Sequence, residues 1–166
     1  MTTPDTPGPG GGGLHRLDRW MYRGGRPNRL ARALNRLWAA VFAAGLLQRE
    51  RLATLEVRGR RTGRLISFPV VVADHEGGRY LVAMLGAGTQ WARNVRAAGG
   101  EATLRHGRRE PVRLAEVPEP ERAPILRRYL ACSPGGRTHI PVEQDAPLAA
   151  FERVAARYPV FRIEPR

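Results

Sequence analysis

Lysine is missing from this sequence, and all 28 of its basic residues are arginine. Only 15 acidic residues stand against them, so the formal net charge is +13. Guanidinium groups bind carboxylates and phosphates through paired hydrogen bonds, which lysine cannot form. The composition therefore favours an anionic partner. By itself it leaves open whether that partner is a cofactor, a membrane surface or a nucleic acid.

Cysteine and clustered histidine are also scarce. Cys132 is the one cysteine of the sequence, which excludes an intramolecular disulfide and a cysteine-rich metal site. The four histidines are scattered, and no two of them stand at the helical spacing that a zinc site uses. We therefore predict that the protein has no metal site.

Long apolar runs are absent too. No uncharged stretch, residues 37–48 included, reaches the ~20 residues that a membrane-spanning helix needs. The residues that follow Met1 contain no apolar core of the kind found in a signal peptide. These absences predict a cytoplasmic protein.

The first fifty residues divide into two parts. Residues 1–13 are rich in proline and glycine and are predicted to form a disordered tail. In residues 14–50 apolar side chains recur at helical spacing, and Arg29, Arg32 and Arg36 fall on the opposite face. This pattern suits a helix that packs on the core with a solvated basic face. The alternative is an amphipathic helix on anionic lipid at the inner face of a membrane.

Residues 51–166 read as short β-like runs divided by turn residues. The runs predict strands over residues 52–57, 65–73, 79–85 and 160–163, and a hairpin that turns at His106 and Gly107. Helical patterns cover residues 89–98, 119–131 and 147–157. Pro69 interrupts the second strand, which suggests an edge or a bulge. The chain is thus predicted to be mainly β (α+β), an antiparallel barrel of five to six strands with peripheral helices.

The most basic turn of the sequence lies between the first two predicted strands. It reads Gly59, Arg60, Arg61, Thr62, Gly63, Arg64. Glycine lets successive backbone N–H groups point at one spot, and the arginines add charge-assisted donors. Such a turn can hold a phosphate or a polycarboxylate, although a merely solvated basic turn would look the same.

The first predicted helix carries a second candidate set. Trp91 and Val95 lie four residues apart and share a face with Asn94 beside them. An indole supplies a flat apolar wall and the amide a donor and an acceptor, as a planar heterocycle requires. A tryptophan in this position is also typical of an ordinary core residue.

Taken in order, these segments resemble the deazaflavin-dependent nitroreductase family. The resemblance rests on Gly-Arg-Arg-Thr-Gly at residues 59–63, Pro69 in the next strand, the glycine-containing loop at residues 86–88, and Trp-x-x-Asn-x-Arg-Ala from Trp91. It covers roughly residues 52–117 and, more loosely, residues 137–141 and the last strand. Proteins of this family are split β-barrels that bind coenzyme F-420, a flavin analogue restricted to two-electron hydride chemistry.

The resemblance implies a cofactor site and a reaction. The implied cofactor-binding residues are Arg60, Arg61, Thr62, Gly63 and Arg64 in the basic turn that holds the anionic tail, Pro69 and Val70 lining the ring, Met84, Leu85 and Gly86 in the loop after the third strand, and Trp91 and Asn94 bordering the channel. Because the reduced cofactor itself provides the hydride, no nucleophile is required. The implied function is a reductase that acts on a quinone, nitroaromatic or enone acceptor, in a chain that is expected to form a homodimer.

Three positions depart from the family pattern. Leu85 stands where many members place a lysine, and Ile66 stands where a basic residue is expected, so two contacts to the phosphate are missing. The tyrosine cluster that lines the substrate pocket in some members is missing after Tyr129. His139, on the loop that would replace that cluster, is the candidate proton donor.

These departures leave alternatives open. The barrel could bind FMN, FAD or haem instead, or it could be a non-catalytic barrel that binds lipid or a membrane surface. Binding of nucleic acid is not expected, because the sequence shows neither a helix-turn-helix nor an aromatic-basic strand pattern.

Overall fold

The computed structural model describes residues 51–166. The expectations for the tail at residues 1–13 and for the helical segment at residues 14–50 lie outside the described residues. The same is true of the basic face formed by Arg29, Arg32 and Arg36.

Six antiparallel strands form a closed barrel. The strands are β1 (Leu52–Arg58), β2 (Leu65–His75), β3 (Gly78–Val82), β4 (Glu101–His106), β5 (Arg108–Glu116) and β6 (Val160–Pro165). Around the barrel they follow the order β1-β2-β3-β6-β5-β4, so β1 closes on β4. The predicted antiparallel barrel is confirmed, with six strands.

Three short helices lie between the strands. They are α1 (Gln90–Ala97), α2 (Arg122–Cys132) and α3 (Leu148–Glu152), accompanied by 3-10 turns at Glu119–Glu121, Pro134–Thr138 and Ala155–Arg157. The peripheral helices predicted from the sequence are therefore present. None of the helices within residues 51–166 is long and apolar enough to cross a membrane.

The sheet buries apolar side chains on both faces at β2 and β3. Inside the barrel, Leu55 of β1 lies opposite Phe68 of β2 and Leu104 of β4. Because side chains alternate along a strand, the neighbouring residues of β2 and β3 face outward. There Ala73 and Tyr80 join a second apolar cluster with the buried side chains of α2 and α3. The helices thus cover one side of the barrel.

The third strand is shorter than its sequence pattern suggests. The prediction of a strand through Leu85 is wrong, because the chain turns after Val82. The Met84 N–H donates to the Val82 carbonyl at 3.0 Å, and the Gly86 N–H donates to Ala83 at 2.8 Å. Gly86 has φ +87°, a conformation that favours glycine. The residues after β3 therefore form a loop that leads into α1.

The helix predicted over residues 147–157 is broken in two. After α3 the chain makes hydrogen bonds between residues three apart, from the Val154 N–H to Phe151 and from the Arg157 N–H to Val154. Such bonds tighten the backbone into 3-10 turns. Phe151, Val154 and Tyr158 are all buried in the outer cluster, so packing overrides the helical pattern here.

Pro69 lies in an unbroken strand. It stands opposite Thr54 in continuous register, so of the two predicted alternatives, an edge or a bulge, the bulge is wrong. β3 pairs with β2 only from Val72 onward, and Pro69 therefore has a neighbouring strand on one side only. Because the missing N–H of proline interrupts no ladder bond at such a position, the strand accepts it.

Candidate functional site

The basic turn between β1 and β2 is tight. The Gly59 N–H donates to the Arg64 carbonyl at 2.8 Å, and the Gly63 N–H donates to the Gly59 carbonyl at 2.8 Å. Gly63 has φ +65°, which residues with a side chain rarely adopt. A Cβ added at Gly59 would lie 2.8 Å from Cδ1 of Ile66 and 3.3 Å from the Arg64 carbonyl oxygen, so a side chain here would require the Ile66 side chain to move. The conformation at Gly63 and the close contacts at Gly59 therefore both favour glycine in this turn.

Arg60 joins this turn to α1. Its backbone N–H donates to Oδ1 of Asn94 at 3.3 Å, and Nη1 of its guanidinium donates to the same oxygen at 3.0 Å. Nη1 also donates to Oε1 of Gln90 at 3.2 Å. Two candidate motifs that lie 34 residues apart in the sequence therefore meet at Arg60.

The positive charge of this turn is not neutralised by carboxylates. Elsewhere in residues 51–166, acidic side chains pair with Arg51, Arg79, Arg96, Arg105, Arg109, Arg122, Arg128 and Arg166. In that same part of the chain, the three arginines of the turn and Arg93 form no ion pair, and all four side chains are exposed. The turn therefore presents a concentrated positive charge, which suits a polyanionic ligand.

Asn94 has an unsatisfied donor. The residue is 1% exposed, and its Nδ2 has no hydrogen-bond partner among the described residues. A buried amide donor without a partner costs about 1–3 kcal/mol, so such groups point to an acceptor that completes the site. Together with the uncompensated arginines, this donor fits a ligand that combines anionic groups with polar ring or linker atoms.

Trp91 lies in the barrel core. It is 7% exposed, and its ring centroid lies 5.3 Å from that of Phe161, with the planes tilted by 59°. Cζ of Arg96 lies over the Phe161 ring, 5.8 Å from its centroid. The same guanidinium donates to both carboxylate oxygens of Glu116. These hydrogen bonds lower the pKa of Glu116 and raise that of Arg96. The ion pair ties α1 to the end of β5, and the proposed role of Trp91 as a channel wall stays a prediction.

The loop after β3 is tied to α2 and to the segment before β6. Sδ of Met84 accepts a hydrogen bond from the Tyr129 hydroxyl at 3.2 Å. A Cβ at Gly86 would lie 3.5 Å from the Arg157 carbonyl oxygen. Between them Leu85 is 55% exposed. Of the other residues implied by the resemblance, Pro69 and Val70 are buried in β2.

Tyr129 makes the stability of the protein sensitive to alkaline pH. Its side chain is buried, and burial raises the pKa of its hydroxyl to about 12. A raised folded-state pKa stabilises the protein fully below the unfolded value near 10 and progressively less as the pH rises through about 12. We expect the free energy of unfolding to fall by about 1 kcal/mol between pH 9 and pH 11 from this group alone.

Urea unfolding at a series of pH values checks this expectation. Tyr129→Phe removes the ionisable group and keeps the ring, so its free energy of unfolding should fall less steeply with rising pH. Equal slopes for the two proteins would show that Tyr129 does not govern alkaline stability.

His139 is not in contact with the turn or with Asn94. It is exposed, and its carbonyl accepts a hydrogen bond from the Tyr158 hydroxyl at 2.8 Å. Its imidazole makes no hydrogen bond or ion pair with any residue from 51 to 166. A surface cavity of about 500 Å³ beside it is lined by Arg137 and residues 140–145. The role of His139 as a proton donor stays a prediction.

Gln90 is a candidate site residue that the sequence motifs did not include. It holds the Arg60 guanidinium together with Asn94, yet only Asn94 belongs to the motif. The signal was present in the spacing, because residues four apart lie on the same helix face. Arg58, the last residue of β1, also contacts the turn, because its guanidinium donates to the Gly63 carbonyl at 3.3 Å.

Comparison with known proteins assigns this chain to one family model. The matching model is described as F420H(2)-dependent quinone reductase, and it matches residues 30–147. That span includes the basic turn, the loop after β3 and α1. No curated protein sequence matches the chain.

Several solved structures are similar in fold. One, described as an F420-H2 dependent reductase, shares 19% identity over 69% of this chain and 94% of its own, with a TM-score of 0.47. A protein of unknown function from Agrobacterium tumefaciens shares 15% identity over 69% of this chain and 48% of its own, with a TM-score of 0.50. A conserved hypothetical protein from Mycobacterium tuberculosis shares 15% identity over 78% and 79%, with a TM-score of 0.46.

Proposed function

Because the chain belongs to the F420H(2)-dependent quinone reductase family, we propose that it transfers a hydride from reduced coenzyme F-420 to a quinone. Membership of the family makes the protein an oxidoreductase that depends on this cofactor, and the alternatives FMN and haem are not needed. The choice of a quinone among the possible acceptors is the part that we propose.

The observation that carries the proposal is the contact of Arg60 with α1. Asn94 and Gln90 hold the guanidinium through amide oxygens, which leave its charge intact. Arg61 and Arg64 add exposed positive charge on the same turn. This arrangement suits the phosphate and carboxylates of the F-420 tail, because guanidinium groups bind both through paired hydrogen bonds.

We assign the chain's own residues to binding and orientation. When bound, the reduced cofactor supplies the hydride, and the protein places it against the acceptor. Arg60, Arg61, Thr62, Gly63 and Arg64 would hold the tail, Asn94 would donate its free Nδ2–H, and Pro69, Val70, Met84, Leu85, Gly86 and Trp91 would border the ring. No nucleophile is required, which agrees with a site built of arginines, amides and apolar side chains.

The exposed leucines favour an uncharged, apolar acceptor, and a quinone is an acceptor of this kind. Leu65 and Leu85, at 50% and 55%, are the exposed large hydrophobic residues within the described part of the chain. Leu65 begins β2 directly after the basic turn, and Leu85 lies in the loop before α1. Apolar side chains in water favour contact with an apolar ring, so a neutral planar quinone suits them better than a charged acceptor.

An anaerobic assay tests this function. The protein is mixed with reduced F-420 and a soluble naphthoquinone, and the return of the oxidised deazaflavin absorbance is followed. We expect reduced F-420 to be oxidised much faster than in the absence of protein. When NADPH replaces reduced F-420, we expect no oxidation of NADPH, which is followed by its own absorbance. A nitroaromatic compound and a cyclic enone are tested in parallel. Turnover of either of these with none of the quinone would contradict the proposed acceptor.

A further inference from the structure

We propose that Gln90 is a positioning residue for the anionic tail of the cofactor. It would hold the Arg60 guanidinium in a fixed pose through a neutral oxygen, so that the charge and the remaining donors of Arg60 stay free for the tail. The proposal rests on the proposed function, because it takes F-420 as the ligand.

The geometry separates the donors of Arg60 into two sets. Nη1 is shared between Oε1 of Gln90 at 3.2 Å and Oδ1 of Asn94 at 3.0 Å. A guanidinium group has five N–H donors in a rigid plane. Nε and Nη2 of Arg60 have no acceptor among residues 51–166, and together they form the edge that binds a phosphate or a carboxylate through two parallel bonds. Gln90 therefore occupies the edge that the ligand does not need.

The neutrality of Gln90 is the essential property. Most of the arginines in residues 51–166 that bond to another side chain pair with a carboxylate, as in the pairs of Arg79 with Glu110 and Arg96 with Glu116. At the basic turn the chain uses two carboxamides instead. A carboxylate at position 90 would bind Arg60 at least as firmly, but it would neutralise the guanidinium and repel the anionic tail. Positioning without neutralisation requires a neutral acceptor, which the amide oxygen of Gln90 provides.

The sequence offers a matched control for this idea. Gln144 also accepts a hydrogen bond from an arginine, Arg137, on the loop before α3. Gln144→Glu therefore makes the same change of net charge in the same type of contact, away from the basic turn. A loss of binding that follows from net charge alone would appear in both variants.

Titrations followed by intrinsic tryptophan fluorescence test the proposal on the full chain. Two ligands are compared, F-420 and the deazaflavin ribityl core that lacks the phosphate and glutamate tail. For Gln90→Glu we expect about tenfold weaker binding of F-420 and unchanged binding of the core. The loss of F-420 binding should become smaller as the salt concentration rises. For Gln90→Ala we expect about threefold weaker binding of F-420, because Arg60 regains rotamer freedom. Gln144→Glu should bind both ligands as the unchanged protein does.

The outcomes separate the two proposals. If the unchanged protein binds F-420 and Gln90→Glu binds it equally well, the positioning role is wrong and the proposed function stands. If Gln90→Glu weakens both ligands alike, the residue acts on the fold or on the ring, and the positioning role is again wrong. If the unchanged protein binds neither ligand, the proposed function falls and the inference falls with it. Thermal unfolding midpoints of all variants identify any that fail to fold.

Discussion

Replacing Arg60 and Arg61 together with alanine will weaken the binding of F-420 by about 100-fold or more. Each charge-assisted hydrogen bond to the anionic tail contributes about 1.5–3 kcal/mol, and two such losses correspond to at least that factor. The fold should be retained with a small loss of stability, since both side chains are exposed, neither pairs with a carboxylate within the described residues, and the backbone N–H of residue 60 still donates to the buried Asn94. Fluorescence titration gives the dissociation constant, and urea unfolding gives the free energy of unfolding.

A second double variant controls for the loss of two charges. Arg127 and Arg153 are exposed, form no ion pair in the region that the structure describes, and lie on α2 and just after α3. Alanine at both of these positions should change F-420 binding by less than about threefold at moderate salt. If the variant of Arg60 and Arg61 binds as tightly as this control, the basic turn is not the site of the tail.

Local patterns were sufficient to predict the barrel and the position of its basic turn. Alternating apolar residues mark β1, and the turn after it contains Gly63 with a positive φ and Gly59 close to the Ile66 side chain, two positions that favour glycine. α1 was predicted within one residue at each end, because Gly99 and Gly100 stop it. These features depend on interactions between residues that are near one another in the chain.

The contacts that assemble the site were beyond such reasoning. Arg60 meets Gln90 and Asn94 across 30 and 34 residues, so only the folded barrel shows that they touch. The spacing of Trp91 is likewise insufficient to assign its role. Its spacing suits both a channel wall and a core residue, and the structure places its ring against Phe161. Contacts of this kind follow from long-range packing rather than from local propensity.

The junction between α1 and β4 should tolerate almost no change at Gly100. Its φ is +88°, and a Cβ there would lie 2.8 Å from the backbone oxygen of Leu114. Its own carbonyl accepts the Leu114 N–H at 2.8 Å, so the backbone cannot move away without breaking this bond. Gly100→Ala combines the cost of a left-handed conformation with that of a backbone clash. We expect it to lower the free energy of unfolding by roughly 3 kcal/mol.

Gly99→Ala is the matched control, because it changes the neighbouring residue in the same turn. Gly99 also has positive φ, +63°, but nothing lies within 4 Å of an added Cβ. It should therefore cost only about 1 kcal/mol, the conformational part of the effect. Urea unfolding of both variants measures the difference. Equal losses would mean that the contact with Leu114 relaxes freely, and that α1, with Gln90 and Asn94, is held less rigidly than the proposed binding of the F-420 tail requires.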